Sequence, residues 1–315
     1  VDFEQVAAAV DAACPRPDRS KGGRPPYPTL VMVKVLFLQV LYNLSDEQAE
    51  HQLLDRRSFQ RFCGLADELR IPDARTVWLF KQRLVQGGLG AQAIFEAVQQ
   101  QLQAQGYIPR GGQIVDATIV RAPIQHLDKE EKALVQQGVV PLEWGAKKAR
   151  HKDCEARWTK KHGKSFYGYK LHANVDARYK LIRRYKVTAA NVDDGNTLPK
   201  VIDASNTAAR LYADRGYDRR ASRELLAEHG CKDGIARRAP VGEKLGQRAE
   251  ARNKAINRRR SRVDSVEHVF AGLRHLGGKT VRAIGLARNE LAIAIKCAVY
   301  NVKRLTWLRE NVPAF

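Results

Sequence analysis

The sequence predicts an α+β chain: a mixed sheet covered by helices, with an all-α region ahead of it. Two observations predict this. From Leu30 to Gly106 apolar residues recur at spacings of three and four, the period of amphipathic helices, and Gly or Pro marks the breaks. From Gln113 onward, short β-branched runs appear, first three in a row and then interleaved with helical segments. The change falls at Tyr107-Ile108-Pro109-Arg110-Gly111-Gly112. It divides the chain into an all-α N-terminal helical domain, residues 1–110, and a sheet-bearing domain, residues 111–315.

The helical part opens with a strongly apolar segment, Leu30 to Tyr42. Ser45-Asp46-Glu47-Gln48 has the form of a capping box and starts a second helix. Pro72-Asp73 announces a third, stopped by Gly87-Gly88, and a fourth carries Ile94, Phe95, Val98 and Leu102 on one face before Gly106. Such a bundle has room for a helix-turn-helix that reads specific DNA ends, and equally suits a dimerisation or packing module. In the second part, Gln113 to Ala122 reads as a strand with Asp116 in its middle. Phe166 to Val175 and Lys180 to Thr188 read as a hairpin joined by Asp176-Ala177-Arg178-Tyr179. A helix from Asn196 to Asp203 follows, then a strand, Leu211 to Asp214, that ends in a carboxylate. A helix at Ala221 to His229, a strand at Gly234 to Arg237 and a helix at Val263 to Leu276 complete the order. The last helix carries Leu291, Ile295, Ala298, Val302 and Leu305 in one stripe, as a core helix does. Three strands followed by alternating helix and strand is the order of the ribonuclease H-like fold, which by itself leaves function open.

Composition narrows the partners. The 315 residues hold 55 Lys+Arg against 34 Asp+Glu, a formal charge of +21, and a field of that sign attracts polyanions, nucleic acid first. The five cysteines, Cys14, Cys63, Cys154, Cys231 and Cys297, are odd in number and form no C-x-x-C pair, so reduced thiols in a cytoplasmic protein are expected. The apolar run Thr29 to Leu41 contains Lys34 and Gln39 and falls short of the roughly 20 residues of a membrane span. No basic-then-apolar leader opens the chain, and no membrane association or export is expected. A Gly-rich phosphate loop is missing from the sequence, so ATP use is not indicated.

Three acids occupy chemically suggestive places: Asp116 within the first strand, Asp214 at the end of a later one, and Glu267 on the helix that follows. Brought together, they would crowd negative charge, which is unfavourable unless cations lie between them. Hard oxygen ligands of this kind suit Mg²⁺ or Mn²⁺. Two such ions about 3.5–4 Å apart would clamp a phosphodiester, one activating the attacking oxygen and the other steadying the leaving oxygen.

The segments Val115-Asp116-Ala117-Thr118, Tyr212-Ala213-Asp214-Arg215-Gly216-Tyr217-Asp218 and Val266-Glu267-His268-Val269-Phe270 closely resemble the three catalytic blocks of the IS-five group of bacterial insertion-sequence transposases. Leu38 to Asp46, Asp55-Arg56-Arg57-Ser58-Phe59 and Ile71-Pro72-Asp73 are similar to the helical region that precedes that group's catalytic domain, so the resemblance runs from about residue 21 to 305. It implies a ribonuclease H-like DDE catalytic domain, with Asp116, Asp214 and Glu267 as ligands of two Mg²⁺ (or Mn²⁺) ions. It also implies cleavage of double-stranded DNA at terminal inverted repeats and attack of the freed 3′-hydroxyl on target DNA. A homodimer on DNA, acting on the nucleoid in the bacterial cytoplasm, fits such work on two DNA ends. One departure stands out. Related enzymes carry an Arg four residues before the catalytic Glu, whereas position 263 is Val and the nearest candidate is Arg262. The family's basic residue seven positions after the Glu is matched in charge by Arg274, on the same helix face as Glu267.

Two basic runs flank these blocks. Lys147 to Lys164 holds eight Lys/Arg, among them Lys147, Lys148, Arg150, Lys152, Lys160, Lys161 and Lys164; Lys244 to Arg262 holds another eight, among them Arg258, Arg259, Arg260 and Arg262. Phosphate neutralisation is their functional reading and a solvated loop the bland one. Gly246 and its polar neighbours suggest that the second run is flexible without DNA. Trp144 and Trp158 have two roles open to them, stacking on an unpaired base or anchoring a loop in the core. His268, adjacent to Glu267, points about 100° away from it on a helix and is read as structural. His172 and Lys170 sit in the expected hairpin with either a structural or an active-site role. Two other functions remain open from sequence: a catalytically silent, transposase-derived DNA-binding regulator, and a ribonuclease H-like nuclease that cuts without joining.

Overall fold

The computed structural model describes residues 1–16, 22, 25–206, 209–263 and 266–312. The helical region comprises α1 (Phe3–Ala13), α2 (Thr29–Leu41), α3 (Asp46–Asp55), α4 (Arg57–Cys63), α5 (Ala74–Gln86) and α6 (Gly90–Ala104). Sequence periodicity located α2, α3, α5 and α6 and missed α1 and α4. The Ser45 capping box forms as expected: Ser45 Oγ accepts from Gln48 N at 3.1 Å, and Gln48 Oε1 accepts from Ser45 N at 2.9 Å. Asp73 caps α5 by accepting from Thr76 N at 2.7 Å. Six of the apolar side chains of α2, from Val31 to Phe37, are buried, so this segment is a core helix. Among the described residues no single helix is long and apolar enough to cross a membrane.

The second region runs β1 (Gln113–Arg121), α7 (Lys129–Gln136), α8 (Ala146–Arg150), β2 (Arg157–Lys161), β3 (Lys164–Asp176), β4 (Ile182–Ala189), a 3₁₀ turn (Asp194–Thr197), α9 (Leu198–Val201), β5 (Arg210–Ala213), a second 3₁₀ turn (Arg215–Tyr217), α10 (Arg220–Glu228), β6 (Lys232–Ile235), α11 (Gln247–Val263), α12 (Val266–His275) and α13 (Leu286–Asn311). The central strand β1 pairs antiparallel with β3 along its whole length and parallel with β5, and β5 pairs parallel with β6. β4 and β2 pair antiparallel with β3. The path β4-β3-β1-β5-β6 is the mixed sheet that the ribonuclease H-like order requires.

Three expectations change. The helix placed at Asn196–Asp203 is a 3₁₀ turn and a single α turn ending at Val201. The run Lys147–Lys164 is only partly loop, because Arg157–Lys161 forms β2 against Lys164–Gly168. The run Lys244–Arg262 is largely helical: α11 spans Gln247–Val263, a stretch free of Gly and Pro and rich in Arg and Ala.

Alternation along β1 places side chains on two cores. Ile114 and Val120 belong to a large core that runs through α1, α2, α6, α12 and α13, while Val115 belongs to a smaller one with Leu198 and Val201 of α9, Leu211 and Ala213 of β5, Tyr217, and Leu226 of α10. The helical region therefore shares a core with the sheet. Buried polar contacts fasten the two together: Arg183 of β4 donates to Asp176 Oδ2 at 2.8 Å and to Tyr107 O at 2.8 Å, and Gln99 of α6 donates to Ile182 O.

Candidate active site

Register brings two of the three acids together. Ile114 of β1 lies opposite Tyr212 of β5 in a parallel pair. Two residues further on, each strand carries an aspartate on the same side of the sheet, Asp116 and Asp214. Asp214 stands just beyond β5, where it caps the following 3₁₀ turn: its Oδ1 accepts from Gly216 N at 2.9 Å. Asp116 Oδ1 accepts from Ala117 N at 2.7 Å, and its Oδ2 faces Arg260 Nη2 of α11 at 3.4 Å.

Burial pushes the Asp116 carboxyl up to about 6, and the negative charge of Asp214 adds to that rise, while Arg260, the Ala117 N–H and Lys161 oppose it. Two carboxylates, one of them reluctant to ionise beside the other, are hard oxygen donors of the kind that fit a divalent cation, and Arg260 offsets the charge of one of them. Glu267 stands in the first turn of α12 on its exposed side, with α12 packed against β1. Among the described residues, no three Asp, Glu, His or Cys side chains converge closely enough to hold an ion. Arg274 is exposed on the same helix.

Of the basic residues, Arg260 and Lys161 act on this pair. β2 and β3 are joined by His162-Gly163 with φ of 50° and 76°, a tight two-residue hairpin turn. Lys161 and Lys164 face each other across it, Lys160 lies beside them, and all three are exposed. Like charges directly opposite repel unless an anion joins them. Lys161 is close enough for its charge to act on Asp116. Lys147, Lys148 and Arg150 are exposed on α8, where Lys148 pairs with Glu131; Lys152 donates to His126 O at 2.9 Å. On α11, Arg258 is exposed and Arg260 reaches Asp116. The side chains of Arg259 and Arg262 lie outside the described residues, so the described guanidinium that meets an acid of the site is that of Arg260.

Trp144 is a buried anchor whose indole N–H donates to Glu131 Oε1 at 2.7 Å, whereas Trp158 is exposed on β2 beside Tyr167. His172 is fully buried with Nε2 2.9 Å from Thr188 Oγ1, and burial pushes its imidazole down to about 4, so it is neutral near pH 7. His268 is exposed on α12. Sequence reasoning missed Asp194 and gave Tyr217 no role. Asp194, in the first 3₁₀ turn, accepts from Lys170 Nζ at 2.8 Å, and Tyr217 is buried in the second turn. For Asp194 the sequence signal was only turn-like composition after the hairpin; Tyr217 lay within the block around the second acid.

A mixed sheet of this order, with two carboxylates brought close on neighbouring central strands, has the architecture of a ribonuclease H-like domain. The family model described as "Transposase DDE domain" matches residues 108–302, and "Transposase domain (DUF772)" matches residues 1–83. The chain belongs to the DDE transposases. It is a DNA transposase, an enzyme of metal-dependent DNA cleavage and strand transfer that depends on divalent cations. Among solved structures it is similar to a piggyBac transposase synaptic complex with hairpin DNA, at 10% identity and a TM-score of 0.40, covering 98% of this chain and 74% of that one.

Proposed function

We propose that this transposase cleaves double-stranded DNA at the terminal inverted repeats of its own insertion sequence and joins the 3′-hydroxyl ends to target DNA. Asp116, Asp214 and Glu267 hold two Mg²⁺ (or Mn²⁺) ions. The observation that carries this is the register of β1 and β5, which sets Asp116 beside Asp214 with Arg260 against the former. Bound there, the cations would supply activation of the attacking oxygen and stabilisation of the leaving one. The chain's own residues do the rest. Arg260 holds Asp116 in place and offsets its charge, and Glu267, on the exposed side of α12, supplies the third carboxylate. Lys160, Lys161 and Lys164 at the hairpin, with Lys147, Lys148, Arg150 and Lys152 before it, neutralise phosphates of the DNA. Arg258, Arg259, Arg262 and Arg274 serve the same end on α11 and α12. Residues 1–110 recognise the ends or pair two copies, and residues 111–315 carry the chemistry. The working assembly is a homodimer on DNA in the bacterial cytoplasm.

The test is Mg²⁺-dependent excision from a plasmid carrying the gene's flanking inverted repeats, with DNA binding scored in parallel. Wild type is expected to cut and join, while Asp214→Ala and Glu267→Ala bind the ends and do neither. Loss of activity below about 1/1000 in each variant is the expected scale for a removed metal ligand. Cleavage by Glu267→Ala at the wild-type rate would remove Glu267 from the site.

A further inference from the structure

Asp194 stands at the same end of the sheet as Asp116 and Asp214, and the chemistry above leaves it without a role. Lys170 of β3 donates to its Oδ1 at 2.8 Å and to Val192 O at 2.7 Å, so one carboxylate oxygen is fixed from behind. The other faces Gly216. A Cβ placed on that glycine would lie 3.0 Å from Asp214 Oδ1 and 3.8 Å from Asp194 Oδ2. The two carboxylates thus flank one small space, open because residue 216 has no side chain. Tyr217 gives an independent sign of a ligand there. Its hydroxyl is fully buried with no hydrogen-bond partner among the described residues. The charges of Asp194, Asp116 and Asp214 all act on that hydroxyl. A buried hydroxyl left unpartnered in their field marks a place for a polar guest.

The geometry points to Asp194 as a positioning residue of the metal centre: held by Lys170, it accepts hydrogen bonds from water in the shell of a divalent cation bound at Asp214. This rests on Asp214 being a metal ligand. Partners of this kind, one step removed from the ion, typically change affinity by about 10–100-fold when removed. Asp194 is 29% exposed and Lys170 14%, so water reaches the pair without flooding it.

The experiment is Mn²⁺ binding to the full chain without DNA, followed by the paramagnetic resonance of free Mn²⁺, with thermal melting of the metal-free proteins alongside. Asp214→Asn is expected to abolish binding, Asp194→Asn to raise the Kd at least tenfold, and Asp194→Glu to recover part of that loss. Lys170→Met removes a positive charge, which by charge alone would tighten Mn²⁺; as the support of Asp194 its loss is expected to weaken binding at least fivefold. A merely structural Asp194 would lower the melting temperature and leave the Kd unmoved. If Asp214→Asn abolishes binding while Asp194→Asn and Lys170→Met stay within threefold of wild type, the role of Asp194 is refuted and the metal centre stands. If Asp214→Asn binds like wild type, the metal centre is refuted and this inference goes with it.

Discussion

Asp116 is the residue whose charge the fold controls most directly. Its carboxyl rises from 3.8 to about 6, chiefly by burial. The folded protein therefore holds a proton that the unfolded chain releases between about pH 4 and 6, and stability falls as pH rises through that window. The rise corresponds to about 3 kcal/mol against the ionised form. The carboxylate's 28% exposure to water reduces this to about 1–2 kcal/mol. Asp116→Asn in the metal-free protein is expected to be more stable than wild type by about that amount at pH 8 and no more stable at pH 4, as read by urea denaturation in chelator. Equal stability of the two proteins at pH 8 would show that the fold does not penalise this charge. Asp116 and Asp214 were legible as candidates because each ends or centres a strand. The pairing of Asp116 with Arg260, 144 residues away, was not, because nothing local in either segment encodes it.

At the scale of elements, α11 decides whether Arg260 reaches the site. The helix is fastened beyond β6 by Asn253, whose Oδ1 accepts from Arg237 N at 2.8 Å and whose Nδ2 donates to Arg237 O at 2.9 Å; Arg252 Nη1 adds a bond to Ile235 O at 2.7 Å. Asn253 is buried, so Asn253→Ala leaves two backbone groups without partners, at a cost of about 1–3 kcal/mol. Amide hydrogen exchange is the check: α11 amides should exchange faster in Asn253→Ala while those of β1 keep their protection. Uniform acceleration across both elements would mean that α11 is no separate unit. The same element shows where sequence reasoning fell short. Gly246 and its polar neighbours suggested that Lys244–Arg262 is flexible without DNA, yet helix propensity and the Asn253 and Arg252 side chains fold it. β2 was missed for a similar reason, since Lys160 and Lys161 hide a strand whose one clear sign is the His162-Gly163 turn.

For the whole molecule, the +21 charge sets how binding responds to salt. For each DNA phosphate that the protein no longer neutralises, the slope of log K against log salt should shrink by about 0.9. Replacing Lys160, Lys161 and Lys164 together by Gln is expected to lower the slope for double-stranded DNA by about 2–3, with the folded state retained because all three are exposed. An unchanged slope would place the DNA elsewhere on the surface. The large core, which joins the N-terminal helices to α12, α13 and the inner face of the sheet, couples the helical region to the site as one packed body.

Local physics determined much of this protein from sequence alone. Helix period, capping residues such as Ser45 and Asp73, and strand alternation around Asp116 act within a few residues, so they located most helices, the hairpin and the succession of strands and helices along the chain. Tertiary structure alone decided that Arg260 meets Asp116, that Lys161 hangs near it, and that Asp194 stands near Asp214. Those neighbours are set by strand register and helix packing across more than a hundred residues in the case of Arg260, and a contact of that kind leaves no period or spacing in the chain to read.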